Sequence, residues 1–212
     1  MSNTMPRSSD MLQSGQVIAG HHDIKAVCFD VFGTIVEITD KRKPYRPLID
    51  ALQPAAARAL RHRLMREDRA LDSWAGALEV DLPEGLLDQV ASEIASELLS
   101  VRLRPGVDAI WADLRAQGVR IAVCSNLATP YGAVLQNLLP DPPDAMILSY
   151  QVGFLKPEPD IYGCVAKALG LDCAEILFTG DTPSADVEGP RAAGMKAMPI
   201  HIFEAAMTER GR

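Results

Sequence analysis

Cys28-Phe29-Asp30-Val31-Phe32-Gly33-Thr34-Ile35 carries an apolar strand into a single aspartate and then a glycine turn. Ile24 to Phe29 is a short run containing Val27, Cys28 and Phe29, the composition of a central strand covered on both faces. Such a strand should end in a polar turn, yet here it ends in one carboxylate. In an open α/β sheet, that position lies at the carboxyl edge, where ligands bind. Gly33 allows backbone to approach whatever Asp30 touches, and Thr34 places a hydroxyl nearby.

The pattern outward from this stretch alternates strand and helix from Val107 onward. The expected strands are Ile24–Phe29, Arg120–Cys124, Ala145–Ser149, Glu175–Thr179 and Lys196–Ile200. The expected helices are Val107–Gln117, Tyr131–Leu138, Asp160–Leu169 and Ala185–Ala193. Gly118, Gly170 and Gly194 stand where helix C-caps belong. Short connections between alternating elements predict a doubly wound, mostly parallel α/β sheet.

Between Val36 and about Leu103 strand signals vanish. Pro54-Ala55-Ala56-Ala57-Arg58-Ala59-Leu60-Arg61 is helix-forming, and Leu86 to Ala95 has the 3.6-residue apolar spacing of an amphipathic helix. Pro83-Glu84-Gly85 separates the two. The expected organisation is a flexible tail over 1–20, an α/β core over 21–36 and 104–212, and a helical insertion over 37–103.

Three further stretches place reactive groups at strand ends or in a loop. Arg120–Cys124 leads into Ser125-Asn126. Lys156 precedes Pro157-Glu158-Pro159, which starts a helix. Ile176-Leu177-Phe178-Thr179-Gly180 ends in Asp181, with Asp186 five positions on. Each has a bland alternative. Asp30 could cap a turn, Ser125-Asn126 could start one, Lys156 could be a surface lysine, and Asp181 could cap the helix that Pro183 opens.

Taken in order, the four stretches resemble the signature motifs of the haloacid dehalogenase (HAD) superfamily, whose members are mostly magnesium-dependent phosphatases. The resemblance covers roughly residues 24–200 and implies a Rossmann-like core with the helical insertion as a cap over the site. It implies Asp30 as nucleophile, and Ser125 and Lys156 as catalytic partners. Phosphate would be cradled by Phe32, Gly33, Thr34, Ser125, Asn126 and Lys156. Mg2+ would be held by Asp30, the Phe32 carbonyl and Asp181, with Asp186 acting through water or from behind. Two anions must meet in such a reaction, so a hard cation on carboxylates suits it.

Phe32 breaks the phosphatase pattern, which carries a second aspartate two residues after the nucleophile. An aromatic there resembles the 2-haloacid dehalogenases, which need no leaving-group proton. Those enzymes lack the metal and the first acid of the last motif, whereas Asp181 is present here. The reading is therefore a magnesium-dependent phosphatase of a small phosphorylated metabolite with a weakened acid step. A haloacid dehalogenase and a silent phospholigand-binding member are the alternatives.

The bulk numbers narrow the partners. A net charge of −7 disfavours non-specific nucleic-acid binding, and no apolar run reaches the roughly 18 residues that span a bilayer. A cytoplasmic monomer or homodimer acting on a small molecule is expected. The cysteines at 28, 124, 164 and 173 fit no zinc spacing and read as reduced thiols. Within Lys41-Arg42-Lys43-Pro44-Tyr45-Arg46, a solvated face is the ordinary reading, with Lys43 or Arg46 meeting an anionic substrate as the alternative. Tyr162 does not discriminate between the two enzyme classes. Trp74, Trp111, His62 and His201 read as packing or surface groups, and His21 and His22 as solvated.

Overall fold

Strand β1 (Ala26–Phe29) is buried at every residue, as its uninterrupted apolar run requires. The structure is a computed structural model and describes residues 18, 20, 21 and 23–210. Most of the expected tail (residues 1–17 and 19) and His22 lie outside the described residues. Beside β1 stand β4 (Arg120–Ser125) and β6 (Ile176–Gly180), and beyond these β5 (Ala145–Leu148) and β7 (Lys196–Pro199). The order is β5-β4-β1-β6-β7, all parallel, with Phe29 level with Val123 and Thr179. The expected strand ends shift by one or two residues. Ile200, expected in the last strand, instead opens helix α10 (Ile200–Arg210).

Period-two alternation divides the strands between two apolar layers. Val27, Phe29, Ile121, Val123 and Leu177 face one layer, with Trp111 of α5 (Val107–Ala116), Leu135 of α6 (Thr129–Leu138) and Phe203 of α10. Ala26, Cys28, Ala122, Cys124, Ile176 and Phe178 face the other, with Ile161, Tyr162 and Val165 of α8 (Pro159–Leu169). Phe29 stacks near Trp111 at 6.2 Å and meets Phe203 edge-on at 5.5 Å. Gly170 and Gly194 take positive φ at helix ends, as expected.

The insertion departs from expectation at its two ends. Val36–Ile38 (β2) and Val101–Leu103 (β3) pair antiparallel, and helices α1 (Arg46–Ala51), α2 (Pro54–Arg63), α3 (Trp74–Leu78) and α4 (Leu86–Leu99) lie between them. Three-residue strands are too short to display a period, and their partners lie about 65 positions apart in sequence. Trp74 is buried, with Arg63 and Arg69 over its ring at 5.6 and 5.2 Å.

Glu97 of α4 is a buried carboxylate that sequence pattern did not single out. The Tyr131 hydroxyl of α6 donates to it at 2.6 Å, and the backbone amides of Arg42 and Lys43 donate at 2.5 and 3.2 Å. One side chain thus ties α4, the segment leading into α1, and core helix α6. Tyr131→Phe leaves one oxygen of that buried carboxylate without its donor, a loss of about 1–3 kcal/mol. Thermal melting should fall by roughly 2–12 °C for a chain of this size. An unchanged melting curve would remove Glu97 as a tie between these segments.

Candidate active site

Sheet order explains why the reactive groups converge. β1 is central, the chain leaves β4 on one side of it and β6 on the other, and all three strands end at the same edge. Asp30 follows β1, Ser125 ends β4, and Asp181 follows β6. This is the switch point at which doubly wound sheets hold ligands. A cavity of about 310 Å³ opens there, lined by Asp30, Phe32, Ser125, Asn126, Lys156, Asp181 and Asp186 among others.

Lys156 reaches this edge from the loop between α7 (Ser149–Val152) and α8. Its ammonium, buried, donates to Asp30 Oδ1 at 2.6 Å and Asp186 Oδ1 at 2.7 Å, and sits 5.3 Å from the Phe178 ring centroid. The other oxygen of Asp30 accepts from Thr34 Oγ1 at 3.0 Å. Asp186 Oδ2 accepts the Thr182 amide at 2.9 Å. Burial pushes the Asp30 carboxyl above the ordinary aspartate value and Asp186 adds to this, while Lys156 opposes it. For Lys156, burial works against the charge, but Asp30, Cys124 and Asp186 outweigh it and hold the ammonium above the usual lysine range. Lys156 is therefore the buried counter-charge of two acids rather than a surface lysine.

Asp181 occupies a different environment. It is exposed, and its contact is with Thr182 Oγ1 at 3.0 Å. Gly33, at φ +92°, lies so close that a Cβ there would sit 2.2 Å from Asp181 Oδ2. Only glycine permits this approach. Oxygens of Asp30, Asp181 and Asp186 lie within 4.8 Å of one another. An all-oxygen donor set of this kind fits a hard divalent cation.

The remaining expected residues sort by what holds them. Ser125 lines the cavity. Asn126 has its side chain committed elsewhere: Nδ2 donates to the Lys156 carbonyl and Oδ1 accepts the Lys156 amide, both at 2.8 Å. That side chain positions the lysine, which leaves the Asn126 backbone for the cradle. Phe32 is half-buried and meets Tyr131 edge-on at 5.8 Å. The helix expected over Ala185–Ala193 is a π-helical turn (Pro183–Glu188) followed by α9 (Gly189–Ala192). Tyr162 donates to the Ala185 carbonyl at 2.6 Å, beneath the turn that carries Asp186. π turns of this sort have no period that a sequence reading can detect.

Of the basic cluster, Arg46 pairs with Asp50, and Arg42 with Asp40 and Glu93. Arg46 is thus engaged within its own helix. Lys41, not singled out by sequence, lines a second cavity beside the first. Trp111 is buried, His62 and His201 are exposed, and His21 is half-buried rather than solvated. No described helix is long and apolar enough to cross a membrane.

Comparison with known proteins agrees with this fold. The family model for haloacid dehalogenase-like hydrolases matches residues 24–194. Phosphoserine phosphatase of Thermus thermophilus is 27% identical over 74% of this chain and 69% of its own length. Haloacetate dehalogenase H-2 of a Moraxella species is 25% identical over 89% of this chain and 91% of its own. A HAD family enzyme of Bacteroides thetaiotaomicron, solved with magnesium and inorganic phosphate, superposes with a TM-score of 0.58 at 16% identity, covering 83% of this chain and 93% of that one.

Proposed function

This chain belongs to the haloacid dehalogenase-like hydrolases, and from that premise we propose that it is a magnesium-dependent phosphohydrolase working through an aspartyl-phosphate on Asp30. The observation that carries the reading is Asp181, an exposed acid brought beside Asp30 by Gly33. Two carboxylates so placed repel each other unless a cation joins them. Asp30, Asp181 and the Phe32 carbonyl would hold magnesium, with Asp186 behind them. When bound, the ion would supply the positive charge that lets carboxylate and phosphate approach.

The chain's own residues perform the rest. Lys156 fixes one oxygen of Asp30 and Thr34 the other, which sets the carboxylate's orientation before a substrate arrives. Lys156 and the Ser125 hydroxyl meet phosphoryl oxygens. Attack by Asp30 forms the acyl phosphate and breaks the bond to the leaving oxygen. Water then attacks phosphorus, which frees inorganic phosphate and restores the carboxylate.

Phe32 stands where this chemistry ordinarily has its proton donor. A phenyl ring neither protonates a leaving group nor activates water, help commonly worth roughly 10²–10⁴ in rate. Acyl and aryl phosphates, whose leaving groups depart unprotonated, should therefore exceed alkyl phosphates in kcat/KM, which reports formation of the aspartyl-phosphate, by about that factor. Rates across aryl phosphates of graded leaving-group pKa, acetyl phosphate and a sugar phosphate test this, with and without EDTA. Equal rates for sugar phosphate and activated esters sink the weakened acid step.

Phe32 also favours a second reading, carbon–halogen hydrolysis through an aspartyl ester on Asp30, and a haloacetate dehalogenase is among the relatives. Halide release that is insensitive to EDTA would decide for it.

A further inference from the structure

We propose that Arg66, a residue of the insertion, is a positioning residue that aims the Lys156 ammonium by holding both ends of its loop. The inference rests on the phosphohydrolase reading for what that ammonium then meets. Arg66 stands in the turn after α2, and its side chain crosses to the segment between α7 and α8. Nη1 donates to the Gly153 carbonyl at 3.1 Å and to Glu158 Oε2 at 3.0 Å, and Nη2 donates to Glu158 Oε1. One guanidinium thus grips the loop on both sides of Lys156.

Bonds within the loop pass that grip on to the lysine. Glu158 Oε2 also accepts the Leu155 amide at 2.9 Å, and the Glu158 amide donates to the Leu155 carbonyl at 2.7 Å. Asn126 clasps both the amide and the carbonyl of Lys156. The ammonium therefore reaches Asp30 and Asp186 from a fixed base. Neighbours of Arg66 seat its turn on the core: the Arg69 amide donates to Thr129 Oγ1 at 3.0 Å, and that hydroxyl donates to the Glu67 carbonyl at 3.4 Å. An isolated ion pair near the surface contributes little. This one is bidentate, which fixes geometry as well as charge. Arg66 Nε is buried with no partner among the described residues. A buried donor left unpaired is costly, so the contacts of the two Nη atoms have to offset it. The guanidinium and the Leu155 amide hold the Glu158 carboxyl below the ordinary glutamate value, which keeps the pair charged at neutral pH.

Kinetics with 4-nitrophenyl phosphate in saturating magnesium test the assignment, on variants that circular dichroism shows to be folded at the assay temperature. Arg66→Met should lower kcat/KM by about 10–100-fold, the cost of misplacing a group at the reacting atoms. Glu158→Gln keeps an acceptor for the Leu155 amide but loses the charge, and should lower it by a similar factor. The two together should cost little more than either alone, because each breaks the same contact. Arg66→Lys should recover part of the loss. Arg63→Met is the control, since it breaks contacts of the same region with Glu67 and the Ala77 carbonyl without touching the loop. Its kcat/KM should match the wild type. Hydrogen exchange reads the loop without turnover: the Leu155 and Lys156 amides should exchange about tenfold faster in Arg66→Met. Wild-type kcat/KM or unchanged exchange in Arg66→Met, or an equal loss of kcat/KM in Arg63→Met, overturns the proposal. Failure of the wild type to hydrolyse the ester, beside faster exchange in Arg66→Met, would sink the phosphohydrolase reading and leave the grip on the loop standing.

Discussion

Lys156→Met is expected to cost both turnover and fold stability, with melting lowered by roughly 6–20 °C, from a loss of about 3–5 kcal/mol. The reason lies in the local charge count. Asp30 and Asp186 are buried carboxylates, and the Lys156 ammonium touches both at 2.6 and 2.7 Å. Methionine fills nearly the same volume and would keep the apolar contact with Phe178, but it leaves two anions facing each other away from water. Breaking one side of a buried ion pair is expensive because the remaining charge is uncompensated. A phosphoryl group would add further negative charge to the same spot, so the activity loss should exceed what instability explains. Melting measured with and without magnesium, together with turnover at a temperature where the variant is folded, separates the two effects. A melting temperature equal to wild type would show that Lys156 is not the counter-charge of this cluster.

Strand ends were legible in the sequence because their signals are local. An apolar run followed by Asp30, Ser125 or Asp181 announces both the strand and the edge where it stops, and alternation with helices supplies the parallel order. What distant partners decide was not legible. β2 and β3 make sense only as a pair, and each has three residues. Glu97 reads as an ordinary helix-surface acid until Tyr131 and the amides of Arg42 and Lys43 close around it. Asn126 reads as a backbone donor to phosphate, and nothing in the sequence shows that its side chain is locked onto the Lys156 backbone. Lys41 and Arg42 are indistinguishable by composition, and only the placement of Asp40 and Glu93 separates the paired cation from the unpaired one. Asp186 shows both sides: its spacing after Asp181 was visible, but its direct contact with Lys156 depends on a π turn.

Phe32→Asp should raise kcat/KM for alkyl phosphates by about 10²–10⁴ while leaving kcat/KM for aryl phosphates little changed, since the water step that all substrates share comes after the step kcat/KM reports. The substitution supplies the proton donor whose lack separates the two substrate classes. The introduced carboxyl would share an edge with Asp30 and Asp181, and nearby negative charge raises a carboxyl's pKa. A proton is thereby retained for the leaving oxygen at neutral pH. Phe32 is half-buried, and its loss removes the edge-on contact with Tyr131, worth roughly 0.5–1.5 kcal/mol. That is a small destabilisation for a chain of 212 residues. The decisive quantity is the slope of log kcat/KM against leaving-group pKa, which should flatten in the variant as protonation takes over from leaving-group quality. A folded variant that keeps the wild-type slope would mean that something other than the missing donor limits alkyl phosphates. The geometry around Phe32 would then have to be explained by what it excludes from the cavity, water or halide, rather than by what it fails to donate.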